Sequence, residues 1–290
     1  MSGDERKSAS EMPKLFQENL DLKAEDIVAG LLEACAIKRP PTDDQLVFDF
    51  LKLSRDTLSP AVLTKLSASR IDPKIRAMLD IHERLVLVHP TFSTHRERFT
   101  WASLHEVAHF VIPDHREVLY KCSFQDLSYF TQRRLELEAN RFASDLIFQN
   151  NVFTKESADH TLSLKVPLLL RDRYRASFES TIRRYVEKNP RPCALVVYRP
   201  SEADDFEPVL EVQYSVRSPS WSHFAYIIPR QRSSPDSPEH AAFHRKREAE
   251  EVTEAPFSTG RDEQTTTVFP SELFCNTYKV FQLIHPPEDD

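Results

Sequence analysis

Residues 100–112 read Thr-Trp-Ala-Ser-Leu-His-Glu-Val-Ala-His-Phe-Val-Ile, and Pro113 follows. Leu104, Val107, Ala108 and Val111 recur at helical spacing, which predicts a helix ended by the proline. On such a helix His105 and His109, four residues apart, differ by only about 40° of azimuth, so both imidazoles can face one cation. Glu106 lies about 100° round the helix from His105. It cannot easily join the same coordination sphere, but it can reach a water held there. Zinc lowers the pKa of such a water to about 7 and the glutamate takes its proton, which is the chemistry of zinc-dependent hydrolysis.

Chance can also place these three residues at this spacing, so the reading needs a third ligand. Leu135, Ala139, Phe142, Ala143 and Leu146 mark a second helix over roughly 131–148. It offers two acids, Glu136 and Glu138. At about 100° per residue, Glu138 falls among Arg134, Arg141 and Asp145, a charged and solvated side. Glu136 falls with Asn140, Ala143 and Ile147, beside the apolar stripe. A ligand must be held at a partly buried helix–helix seam, and that selects Glu136 over the alternative of a solvated helical carboxylate. Asn140, one turn on, can accept the Nδ1 proton of a zinc histidine and so fix its tautomer.

Arg-Phe-Thr at 98–100, then His105-Glu106-x-x-His109, then Glu136-x-Glu-Ala-Asn140-x-Phe-Ala143 resembles the ImmA/IrrE-type zinc metallopeptidases over roughly residues 25–190. The resemblance implies Zn2+ at His105, His109 and Glu136, the last 27 positions after the second histidine, with Glu106 as general base. It also implies a protein substrate, often a helix-turn-helix transcriptional repressor, and a role in transcription regulation linked to stress or to a mobile element. The segment Leu170–Tyr185 looks like the helical segment that follows the active site in that family. Three positions depart from the family pattern. Ala108 stands where glycine is usual, Phe99 and His105 are six apart rather than four, and Leu146-Ile147-Phe148-Gln149 replaces the usual Leu-Leu-Met-Pro.

Around these helices the chain reads as α+β: a mostly helical, zincin-like metallopeptidase domain with a small sheet over 23–189, then a smaller strand-rich domain over 190–290. Residues 1–22 are polar and read as a flexible arm. Helices are expected at 25–37, 43–53 (capped by Thr42 or Asp43), 59–68 and, broken near Ala176-Ser177, 163–188. Arg84–Pro90 contains a short β-branched run, expected at 84–89 as an edge strand to which a substrate peptide adds. Pro190 and Pro192 mark the expected boundary. Strands follow at 193–198, 209–214 and 278–284, and 230–266 reads as a long mobile loop or insert.

Composition narrows the class. The net charge of −7, from 38 basic and 45 acidic residues, argues against non-specific binding to nucleic acid or to an anionic membrane, though a local basic patch remains open. The basic stretch Arg171, Arg173, Arg175, Arg183 and Arg184 reads as a solvated face rather than a DNA-binding helix pair. Three glycines in 290 residues exclude a glycine-rich phosphate loop. Cys35, Cys122, Cys193 and Cys275 are widely spaced, which suits reduced thiols in a cytoplasm. The N-terminus lacks the apolar stretch of a secretory signal, and no run approaches a membrane span.

Other histidines and tyrosines carry less. His115 reads as a surface or loop-packing residue, with an extra metal ligand as the alternative. His89 and His95 flank the expected edge strand, where either can bond substrate. Tyr174, His160 and Tyr129 are candidates for stabilising an oxyanion, and Tyr174 is a further candidate for contacting substrate. The expected activity is zinc metalloendopeptidase. The alternative is a metal-stabilised binding or sensor protein that controls a repressor or DNA without proteolysis.

Overall fold

The computed structural model describes residues 24–62, 64, 76–121, 127–201, 209–221, 236–244, 253–259, 267–276 and 278–286. The chain forms two compact units, Met1–Phe153 with Arg173–Ser177, and Thr154–Asp172 with Phe178–Asp290. The class is α+β, with many helices and two small sheets. The expected arm at 1–22 and most of the expected 59–68 helix, of which 60–62 and 64 are helical, lie outside the described residues.

In the first unit the elements run α1 (Ala24–Ala34), α2 (Asp44–Leu51), β1 (Ser54–Thr57), β2 (Ala77–Asp80), β3 (Leu85–Val88), α3 (Pro90–Ser93), α4 (Arg96–Val111), α5 (Pro113–Lys121) and α6 (Tyr129–Ile147). Asp43 caps α2, its side chain accepting from the Gln45 amide, while Thr42 instead donates to the Leu146 carbonyl at 2.8 Å. The sheet order is β1-β3-β2. Ser54 pairs with Leu85 in parallel and Ala77 with Val88 antiparallel. The strand expected at the edge is therefore the central one. Its nearly unbroken apolar run explains why: Val86 and Val88 are fully buried, as a strand paired on both sides demands. The outer β1, Ser-Arg-Asp-Thr, has no apolar alternation and gave no strand signal. Helix α4 packs on β2, β3 and α6, and α1 packs on α6.

Helices α7 (Asn151–Ala158) and α8 (Lys165–Tyr174) have residues in both units, and α9 (Phe178–Glu187) lies in the second. The second unit's sheet is antiparallel, in the order β5 (Leu210–Arg217), β4 (Ala194–Pro200), β8 (Val280–Ile284), β7 (Thr267–Cys275), β6 (Thr253–Thr259). Its central strand β8 is buried on both faces. On one face Phe178 of α9 meets the rings of Phe274 and Phe281 at 4.5 and 4.9 Å. On the other, Phe243 of α10 (Pro238–His244) joins Val196, Leu210, Trp221 and Leu273. The proline-marked change near 190 thus falls inside this unit, because α9 covers its sheet. Within 230–266, expected as loop or insert, residues 236 and 237 form a turn and bend that lead into the helix Pro238–His244, and Thr253–Thr259 pairs with β7; the remaining residues of that stretch lie outside the described ones. Prolines at 238, 256 and 270 masked these elements in the sequence.

Candidate metal centre

Helix α4 is anchored before its histidines begin. The Arg55 guanidinium on β1 pairs with Asp44 of α2, and lies over the rings of Phe48 and Phe99 at 4.7 and 4.6 Å. Thr100 donates to the same Asp44 carboxylate at 3.3 Å. Phe99 and Thr100 of the Arg-Phe-Thr stretch thereby tie α4 to α2 and β1. Ala102, Leu104, Val107, Ala108 and Val111 are buried, so α4 runs through the interior with apolar contacts on most sides. Ala108 is fully buried in a continuous helix, which needs no glycine there.

This burial carries His105 and His109 inward, at 9% and 5% exposed. Their Nε2 atoms stand 3.3 Å apart. From α6, the Glu136 carboxylate comes within 3.3 Å of His105 Nε2 and 3.7 Å of His109 Nε2. The three donors form a triangle within 4.8 Å throughout. Zinc binds nitrogen and oxygen at about 2.0–2.1 Å, so the corners of its tetrahedron lie about 3.3 Å apart. The triangle has those dimensions. Two imidazole nitrogens and one carboxylate also form a donor set suited to catalytic zinc. The residues present fit the metal.

The charges around the triangle are interdependent. Hydrogen bonds with His105 and His109 hold the Glu136 carboxyl well below the usual carboxylate range, overriding its partial burial. Burial depresses the His105 pKa, but its hydrogen bond with Glu136, the negative charges of Glu106 and Glu136 and an interaction with Asn140 raise it overall. Its buried Nδ1 makes no hydrogen bond, and that of His109 meets His115, so neither histidine gives Asn140 the Nδ1 proton expected of it. Burial pushes the Glu106 carboxyl up, against the pull of His109 and His105 and with the repulsion of Glu136. A carboxyl raised in this way suits a group that must both take and return a proton near neutrality.

Other expected residues scatter. Half-buried His89 caps α3, accepting from the Thr91 amide, and exposed His95 precedes α4 with no side-chain capping bond. Tyr174 is 2% exposed, its ring against Phe148 and Phe153 at 5.8 and 5.1 Å, which leaves it no open face for a substrate. Tyr129 is exposed beside Phe130 at the start of α6. His160 lines an open pocket of the second unit with Ser163, Lys165 and Glu272. In the basic stretch Arg183 pairs with Glu187 at 2.7 Å, Arg171 with Asp172 at 3.3 Å, and Arg184 is buried.

The residue that sequence reasoning misjudged is His115. It is fully buried, with Nδ1 3.1 Å from His109 Nδ1 and Nε2 2.8 Å from Glu138. Burial draws its pKa down to about 4, against the hydrogen bond to Glu138, so the ring is neutral at pH 7. Glu138, read as facing solvent, is the acceptor for this buried ring. A usable signal existed: Pro113 ends one helix and opens another, so the chain turns and its next histidine can come back against the first helix.

Residues 63–185 match the family described as IrrE N-terminal-like domain, Peptidase_M78. No curated protein sequence matches the chain. Among solved structures, a transcriptional regulator from Mycobacterium tuberculosis shares the fold, with a TM-score of 0.55 at 13% identity over 93% of this chain and 77% of that one. Among the described residues no helix is long and apolar enough to cross a membrane.

Proposed function

We propose, from the match of residues 63–185 to the IrrE N-terminal-like domain of a metallopeptidase family, that the protein is a zinc-dependent endopeptidase that cuts a regulatory protein in the cytoplasm. The observation that carries this reading is the donor triangle of His105, His109 and Glu136, with Glu106 on the next position of the same helix as His105. A zinc ion held there would polarise the scissile carbonyl and acidify the attacking water. Glu106 takes the water's proton on its carboxylate and passes it to the leaving amine nitrogen, so the peptide bond breaks with its proton balance closed. Helix α4 packs on β2, an outer strand of the three-stranded sheet. A substrate segment adding to that edge by main-chain hydrogen bonds would extend the sheet on which the histidine helix packs.

The sequence resemblance favours a helix-turn-helix repressor as substrate, and a fold shared with a transcriptional regulator is in keeping with it. That same likeness favours a second reading, control of a repressor or of DNA by binding alone. Glu106→Gln separates the two. Incubated with helix-turn-helix repressors, with and without chelator, and read by intact mass, the zinc-loaded wild type yields two fragments. The variant retains about one zinc per chain and cuts slower by at least about a hundredfold. Undiminished function in the variant favours the binding reading, and the lack of bound zinc in the wild type removes the protease reading.

A further inference from the structure

We propose that His115 and Glu138 are positioning residues that fix His109 as the Nδ1–H tautomer and so present its Nε2 lone pair to the metal. The inference rests on the metal-binding part of the reading above and not on proteolysis. Three contacts in series carry it. His109 Nε2 belongs to the donor triangle, 3.3 Å from His105 Nε2 and 3.7 Å from Glu136. Its other nitrogen meets His115 Nδ1 at 3.1 Å, and the far side of His115 meets Glu138 at 2.8 Å.

The direction of each hydrogen bond follows from the last member. A carboxylate only accepts, so His115 Nε2 carries the proton and donates to Glu138. His115 is fully enclosed, which disfavours a second proton on the ring, so its other nitrogen keeps a lone pair and His115 Nδ1 must receive its bond. Only His109 Nδ1–H can supply it, which leaves His109 Nε2 unprotonated. The opposite tautomer would set two lone pairs against each other 3.1 Å apart in a buried place, at the cost of an unsatisfied acceptor. His115 is fully buried and His109 nearly so, so water is poorly placed to substitute for either partner. Glu138 is held in turn by Arg134, whose Nε lies 3.9 Å from it. The same helix α6 therefore supplies a direct ligand, Glu136, and, two residues on, the acid that orients another ligand.

The arrangement also explains an asymmetry. His105 Nδ1 has no hydrogen bond, so the two histidines are not equivalent: behind His109 stands a relay, whereas His105 is held by Glu136, Asn140 and the Trp101 ring, with ring centroids 5.4 Å away, and has no partner behind it. Carboxylate or carbonyl partners behind metal histidines typically account for 10–100-fold in metal affinity.

The test uses the full chain and zinc alone. Zinc affinity is measured by competition with a chromophoric chelator, and ring tautomers by nitrogen-15 NMR of histidine-labelled apoprotein at pH 8. In the wild type, His109 shows its proton on Nδ1. Glu138→Ala and His115→Phe each weaken zinc binding 10–100-fold. His115→Asn, whose amide oxygen can occupy the position of the ring Nδ1 as an acceptor, restores affinity to within about threefold and makes it insensitive to Glu138→Ala. Wild-type His109 protonated on Nε2, or Glu138→Ala binding zinc as tightly as the wild type, overturns the proposal. If the substituted proteins fail to fold, the wild-type tautomer alone decides. If the wild type binds no zinc yet shows the Nδ1–H tautomer, the relay stands and the metallopeptidase reading fails.

Discussion

Tyr185 is 1% exposed, and its hydroxyl oxygen accepts from the Ser163 amide at 3.3 Å. Burial pushes its pKa up to about 12, and burial likewise pushes the Cys193 thiol up to about 12. Both values exceed those of the unfolded chain, about 10 for tyrosine and 8.5 for cysteine. The folded state therefore prefers the protonated forms. Their contribution is complete below the unfolded values and is lost as pH rises towards 12. A tenfold change in an ionisation constant corresponds to about 1.4 kcal/mol, so Tyr185 alone contributes on the order of 2–3 kcal/mol. Urea unfolding of the second unit is expected to need progressively less denaturant from about pH 9 to 12. Tyr185→Phe should lessen the loss above pH 10, which Tyr198 and Tyr214 of the same unit share because burial also pushes their pKa values up, and an unchanged slope in that variant would remove the assignment. At the same scale, His105, Glu106 and His109 were legible because one helix fixes their relation. The role of His115 was not, because its spacing from His109 crosses a proline and obeys no single period.

The helix that delivers Glu136 begins at Ser128, whose hydroxyl accepts from the Thr131 amide at 3.2 Å. Ser128→Ala removes that cap and should cost about 1 kcal/mol, read as a lower denaturation midpoint of the first unit. Lys52 ends α2 in the left-handed region, at φ 53°, with its amide bonded to Asp49 and Phe48 carbonyls. With so few glycines in the chain, such ends fall to residues that carry a Cβ. Lys52→Gly is expected to stabilise by about 1 kcal/mol, and a lower midpoint would contradict that account. Helices α4 and α6 were readable in advance from apolar residues at helical period. Strand β1 was not, since four polar residues become a strand only when β3 lies alongside.

Zinc bound to the folded triangle but not to the unfolded chain should raise the thermal midpoint of the metal-loaded protein, by about 4 kcal/mol of stability at a thousandfold excess over Kd. The two tryptophans report on this separately. Trp101 lies against His105, and Trp221 lies in the sheet core of the second unit. In Trp221→Phe, zinc is expected to alter the remaining emission; a zinc-induced rise in midpoint with no change at Trp101 would place the ion elsewhere. The sequence by itself determined that two histidines share one helical face with a glutamate beside them, and that a later amphipathic helix brings an acid, because those relations are set by the 3.6-residue period of a single element. The tertiary structure decided that Glu136 closes the triangle, that Glu138 turns to His115, and that Leu85–Val88 is central rather than peripheral. Those relations depend on how separate elements pack, and no local repeat encodes the direction from which a neighbour arrives.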